Sequence, residues 1–209
     1  QLSRDLGIDI AVDLMGYTRK NRFKIFAERC APIQINYLGY PGTCGSKSID
    51  YIIADKTVIP KNNQKFYSEK IVYMPNSYHP IESIKKISEK KFSRKELNLP
   101  EDKFIFCCFN SHQKITPSIF NIWINLLKKN SNSVLWLREF NQYSSKNLKL
   151  ETLKRGIDEK RIIFAKRLPL DEHLSRIKNA DLFLDTFPYT AHSTCSDVLR
   201  IGLPVLTCI

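Results

Sequence analysis

The sequence predicts an α/β protein of two units, the second of them a parallel, doubly wound sheet. Three observations predict it. Short β-branched or aromatic runs recur along the chain, and their near-continuous apolar character suits strands covered on both faces. From residue 104 onward these runs alternate with helical patterns, which implies right-handed crossovers between parallel strands. A basic stretch, IKKISEKKFSRKEL, separates this regular half from a less regular first half.

The first half offers four strand runs, IDIAVDL, IQINYLG, SIDYIIAD and KIVYM, with one helical pattern, NRFKIFAERC. The second half opens with the run FIFCCFN. Thr116-Pro117-Ser118 then starts a helix, with an N-cap residue followed by a first-turn proline, and Ile119, Ile122, Trp123, Leu126 and Leu127 fall on one face. SVLWLRE, RIIFAK, ADLFLD and PVLTCI are the remaining strands. KNLKLETLKRG, LDEHLSRIKNA and STCSDVLRIG are the helices between them, the last two closing near a small residue or glycine. The expected boundaries are 1–84 for the first unit, 85–97 for a basic linker and 98–209 for the second unit. The first unit begins within a strand's approach and the second stops at or just after a strand, so the chain is expected to be a fragment of a longer protein. No repeat of roughly 20–50 residues is visible.

Composition narrows the classes. At 209 residues, 43% hydrophobic and 26% charged, the chain is ordinary for a soluble globular protein. No apolar run reaches the ~18 residues a membrane span needs, and QLSRDLGIDI lacks the layout of a secretory signal. A cytoplasmic protein without membrane partners is expected. The six cysteines show neither a CxxC pair nor Cys/His spacing for zinc, and most sit in apolar runs, so they read as reduced core residues with no metal site. The formal charge of +12 invites a nucleic-acid partner. Its densest cluster alternates with Ser and Glu, however, as a solvated linker does, so no nucleic-acid partner is expected and a small anion such as a nucleotide is left open.

Gly39, Gly42 and Gly45 cluster in LGYPGTCG at the wrong spacing for a dinucleotide fingerprint, and Pro41-Gly42 reads as a turn. There is no GxSxG elbow, Walker loop or HExxH. What remains is the carboxyl end of the second sheet, where ligands of open α/β folds bind. Three segments should converge there: FNSHQK, RLPLDEHLSR and PYTAHSTCSD. Lys114 is a point charge just past a strand. His173 and Arg176, three residues apart, share a helix face. His192, Ser193 and Thr194 stand where a helix begins, with Ser193 or Thr194 the default N-cap, and a helix start presents N–H groups to an anion.

The blocks GYTRKNR, APIQINYLGYPGTCGSKSIDYIIAD, YSEKIVYMP, FNSHQKITP, SVLWL, RIIF, DEHLSR and LDTFPYTAHSTCSDVLRIGLPVLT, in this order, resemble the catalytic region of O-linked N-acetylglucosamine transferases, especially bacterial ones. The resemblance covers nearly the whole chain. It implies a GT-B-type pair of Rossmann-like lobes with parallel sheets, a UDP-sugar donor held mainly by the second lobe, no cofactor or metal ion, and transfer of N-acetylglucosamine from UDP-GlcNAc to Ser or Thr of a protein or peptide with inversion. It further implies that His192-Ser193-Thr194 receives the donor's diphosphate and that Lys114 neutralises charge on the departing diphosphate. By the same resemblance His173 and Arg176 lie around the uracil and Asp197 lies near the ribose. In the first lobe Leu38 and Gly39 lie beside the sugar, and Arg19 and Arg22 near the donor phosphates or peptide.

Departures from the family pattern fall at Ser111, where an amide residue is common, and at Leu170, where a lysine or other polar residue is common. An upstream tetratricopeptide superhelix and a segment bearing catalytic histidines belong to the family and lie outside these residues, so the chain alone is expected to be inactive. The protein O-fucosyltransferase branch, which uses GDP-fucose and shares the DTFPY strand end, is the alternative; it tends to carry threonine and glutamate where this chain has His192 and Asp197. A non-catalytic protein-interaction remnant is the other.

Overall fold

A computed structural model describes residues 1–18, 20–82 and 86–208, and the chain divides into two compact units, Gln1–Pro80 and Ile81–Ile209. All nine expected strand runs form strands, and every strand pairing is parallel. The fold class read from the sequence is the one observed.

The first unit contains α1 (Leu2–Asp5), β1 (Ile10–Asp13), α2 (Phe23–Ala27), β2 (Ile33–Asn36), β3 (Tyr51–Ala54) and β4 (Lys70–Tyr73). Its sheet runs in chain order, β1-β2-β3-β4, with Asp13 opposite Asn36 and Ile52 opposite Ile71. The apolar core is small, built on Ile52, Ala54 and Ile59. Polar groups therefore reach the interior, and burial demands that they be paired. Gln34, fully buried, accepts from the Cys30 N–H and donates to the Phe26 carbonyl at 2.8 Å. Glu69 accepts from the Cys44 N–H and from the Thr43 hydroxyl. Beside this carboxylate, in a buried setting, the Cys44 thiol is pushed up to about 12, burial being the larger cause.

The second unit contains β5 (Phe104–Cys108), α3 (Pro117–Lys129), β6 (Ser133–Arg138), α4 (Gln142–Lys154), β7 (Ile162–Ala165), α5 (Leu170–Arg176), β8 (Leu182–Leu184), α6 (Ser193–Arg200) and β9 (Val205–Leu206). The strand order is β7-β6-β5-β8-β9. The chain winds outward from β5 to β7, then returns to the other side of β5. Such a reversal opens a crevice at the carboxyl ends of the strands. Ile105, Cys107, Leu135, Leu137, Leu174 and Phe183, all fully buried, mark the core.

Helix α3 begins as its sequence directs: the Thr116 hydroxyl accepts from the Ile119 N–H at 3.3 Å and Pro117 follows. Its buried stripe differs from the expected one. Ile119, Phe120, Trp123, Ile124 and Leu127 face the core, while Ile122 is 55% exposed. An apolar run that is wider than one face lets the larger Phe120 take the sheet side and turns Ile122 outward. The described part of the basic stretch lies along this unit. Asn179 donates to the Phe92 carbonyl, the Ser88 N–H to the Asp171 carbonyl, and Arg94 pairs with Asp181 at 3.1 Å. All six cysteines are free; Cys44, Cys107 and Cys108 are buried, Cys30 and Cys195 half-buried, and Cys208 is exposed at the surface, outside the core expected of it.

Candidate functional site

A cavity of about 600 Å3 opens at the carboxyl ends of β5, β6 and β7, between α5 and α6. Phe109, Arg138, Leu168, His173, Arg176, Thr194 and Asp197 are among the residues lining it, so the turns after β7 and β8 meet as their chain positions implied.

Phe109 sits edge-on to both Trp136, at 5.0 Å between centroids, and His173, at 4.8 Å. This aromatic floor supports the polar wall. Arg176, only 4% exposed, donates from Nη1 to the Lys166 carbonyl at 2.6 Å and from Nε to Nδ1 of His173 at 3.1 Å. Burial, with the neighbouring Arg176 and Arg138 charges adding to it, lowers His173 to about 4. Burial and the Arg138 charge lower Arg176 to about 10. At neutral pH the wall thus presents a neutral imidazole and cationic guanidiniums. Among the lining residues Arg138, Arg167 and Arg176 face a single carboxylate, Asp197, an imbalance that suits an anionic ligand. Leu170 also lines the cavity and is exposed.

The loop after β8 is held by Asp185. This buried carboxylate accepts from the Asn110 amide at 3.0 Å, from the Thr186 and Ala191 N–H groups at 2.8 Å each, and from the Thr207 hydroxyl at 2.8 Å. The Thr186 hydroxyl donates in turn to the Tyr189 carbonyl at 2.7 Å, and Phe187-Pro188 is a cis peptide. Lys114 stands in a short 3₁₀ turn before α3. Its Nζ donates to the Thr190 carbonyl at 2.9 Å and lies 4.0 Å from the Tyr189 ring centroid. Burial draws its pKa down, and the charge of Asp185 opposes that pull.

His192, not Ser193 or Thr194, is the N-cap of α6. The Ser196 N–H bonds to its carbonyl at 3.1 Å, which counts His192 as the last residue before the helix and moves Ser193 into the first turn. The His192 side chain itself makes no capping hydrogen bond to this helix.

In the first unit, Leu38 holds a left-handed backbone, φ 71°, and Gly39 packs so closely that a Cβ would lie 2.1 Å from the Leu14 carbonyl oxygen. Arg22 is the exposed N-cap residue of α2, and Arg19 lies outside the described residues. The second unit therefore brings His173, Arg176, Thr194 and Asp197 into one cavity. Lys114 and His192 meet at the Tyr189 ring on the loop after β8 and Ser193 opens α6, none of these three being among the cavity's lining residues. The first unit carries Leu38, Gly39 and Arg22. Phe109 and Arg138 line the cavity, and Asp185 and Tyr189 build the loop after β8, without having been singled out from the sequence. Only Asp185, a lone acid closing an apolar strand, carried a local signal. Among the described residues no group of three or more His, Cys, Asp or Glu is placed to hold a metal ion.

The model of glycosyl transferase family 41 matches residues 1–91 and 85–209. The probable UDP-N-acetylglucosamine–peptide N-acetylglucosaminyltransferase SEC of Arabidopsis thaliana is 40% identical over 96% of this chain, which covers 21% of that protein. The probable enzyme of the same activity named SPINDLY, also from Arabidopsis thaliana, is 31% identical over 98% of this chain and is covered to 22%. The chain thus spans about a fifth of the length of these curated relatives. Among solved structures, an O-GlcNAc transferase mutant from Thermobaculum terrenum superposes with a TM-score of 0.85 at 27% identity, over 99% of this chain and 39% of that one.

Proposed function

This chain belongs to glycosyl transferase family 41, and from that premise we propose that it is part of the catalytic region of a protein O-glycosyltransferase. The donor is UDP-GlcNAc and the acceptor a Ser or Thr hydroxyl of a protein or peptide. One observation carries the reading: a single cavity in the second unit is lined by His173, Arg176, Thr194 and Asp197, with three guanidiniums against one carboxylate.

The roles follow from the chemistry of each group. Neutral His173 offers Nε2–H, and Arg176 backs it, so this end of the cavity donates to carbonyl oxygens of a base. Asp197 accepts from the ribose hydroxyls. The His192-Ser193-Thr194 turn brings the positive end of the α6 dipole to the diphosphate. Lys114 meets the charge that grows on the diphosphate as the bond to the sugar breaks, and this supports metal-independent transfer. Lys114 remains charged in this role and moves no proton. Leu38 and Gly39 serve the sugar in this reading, and Arg19 and Arg22 the phosphates or peptide.

The test is binding and turnover by the full-length protein. UDP should bind without added metal and more tightly than GDP, and transfer from UDP-GlcNAc should survive a chelator. Lys114→Met should lower kcat about 100-fold or more, as loss of an oxyanion-type donor does, with a smaller effect on donor affinity. Equal affinity for GDP, or normal turnover of Lys114→Met, would overturn the reading.

A further inference from the structure

We propose that Tyr189 is a positioning residue of this site, its ring gathering the Lys114 ammonium and the His192 imidazole into one cluster. The inference rests on the role given to Lys114 above. The ammonium lies 4.0 Å from the Tyr189 ring centroid, and the His192 ring stacks on the same tyrosine at 5.8 Å with the planes 18° apart. An aromatic ring carries negative potential on its face, so it attracts the ammonium without neutralising it as a carboxylate would. A cation held this way keeps its charge available to a phosphate.

The tyrosine is not placed by burial. It is 51% exposed. Its backbone is placed instead by the Asp185 frame: the Thr186 hydroxyl fixes the Tyr189 carbonyl, the Asn110 amide at 2.8 Å fixes that hydroxyl, and Asp185 holds the Thr186 and Ala191 N–H groups on either side. A rigid loop therefore presents the ring, and the ring presents Lys114, whose long stem would otherwise sample many rotamers. The Thr190 carbonyl, from the same loop, accepts a hydrogen bond from one of the ammonium's three N–H groups. Two consecutive residues thus point one lysine toward the turn that starts α6. Preorganised charge of this kind stabilises a transition state because it costs no reorganisation when the bond breaks.

The experiment compares Tyr189→Leu and Tyr189→Phe with Lys114→Met in the full-length protein, by UDP-GlcNAc turnover and thermal melting. Tyr189→Leu should lower kcat roughly fivefold, the upper end for a cation–π contact on a half-exposed ring, with the KM for UDP-GlcNAc changed by less than about twofold and an unchanged melting temperature. Tyr189→Phe keeps the ring and should restore turnover to within about threefold. In Tyr189→Leu the alkaline limb of the kcat–pH profile should move to lower pH, because losing the ring face disfavours the charged lysine. Normal kcat in Tyr189→Leu, or a Tyr189→Phe variant as impaired as Tyr189→Leu, would overturn the proposal. A normal Lys114→Met would instead defeat the role of Lys114 itself and take this proposal with it.

Discussion

The Nε–H of Arg176 donates to Nδ1 of His173 at 3.1 Å, a contact that places the imidazole's one proton on Nε2. Burial, and after it two cationic neighbours, keep a second proton away. The pair is a fixed donor element, and its fixity has a pH signature.

His173 falls from its ordinary 6.5 to about 4 in the folded protein. Between those values the unfolded chain takes up a proton that the native site refuses, so stability is full above about pH 6.5 and is lost as pH falls toward 4. The loss attributable to this residue is on the order of 2–3 kcal/mol. Melting temperatures of wild type and His173→Gln should therefore converge as pH is lowered from 7 to 4.5. Parallel curves would show that His173 titrates normally.

Asp197 lines the cavity one turn into α6. Asp197→Asn should weaken UDP binding by roughly 10- to 100-fold, the scale of hydrogen bonds to a charged group, while the melting temperature stays nearly constant. Isothermal titration and a thermal scan separate this from a role in holding the helix, which would lower stability and leave the affinity intact.

Asp185 takes four hydrogen bonds in a buried setting. Asp185→Ala strands those donors and should cost about 3 kcal/mol or more in urea unfolding. Turnover should fall with it, because the loop that carries Tyr189 and Thr190 loses its anchor. A stability change under 1 kcal/mol would show that the loop is held by other contacts.

Gly39 is set by close approach, not by a left-handed backbone. A methyl group there meets the Leu14 carbonyl oxygen at 2.1 Å, so Gly39→Ala should destabilise the protein by roughly 1–3 kcal/mol. The neighbouring Leu38 already sits at φ 71°, which leaves the loop little room to yield. An unchanged melting temperature would contradict this packing.

The strands were legible because each is a short β-branched or aromatic run with turn residues on both sides, and β5 to β9 carry no competing helical period. Helix α3 was legible at its start, where Thr116 and Pro117 are local signals, and less so on its buried face, where Phe120 and Ile122 are both apolar and only packing against the sheet chooses between them. The α6 cap was misplaced for a similar reason: Ser193 and Thr194 are better cap residues than His192 by side chain, yet the Asp185 bond to Ala191 fixes the loop one residue earlier. Chain order brought the His173 and Thr194 segments together. The aromatic floor of Phe109 and Trp136, and the contact of Tyr189 with Lys114, join residues 27 and 75 positions apart, and no local pattern encodes such a meeting.

The order β7-β6-β5-β8-β9 also sets a timetable for synthesis. A ribosome releases β5, β6 and β7 in sequence, and these neighbours can pair as they emerge, building one bank of the crevice with His173 and Arg176 soon after. The inner strand β5 keeps an open flank until β8 arrives some 70 residues later, and the opposite bank, with Thr194 and Asp197, comes last. Until then the nascent unit exposes an unpaired, strongly apolar strand edge, a surface that chaperones bind and that invites aggregation. A nucleotide bound as proposed would have no complete cavity to enter during this interval, so it would stabilise the finished unit and not guide its early folding.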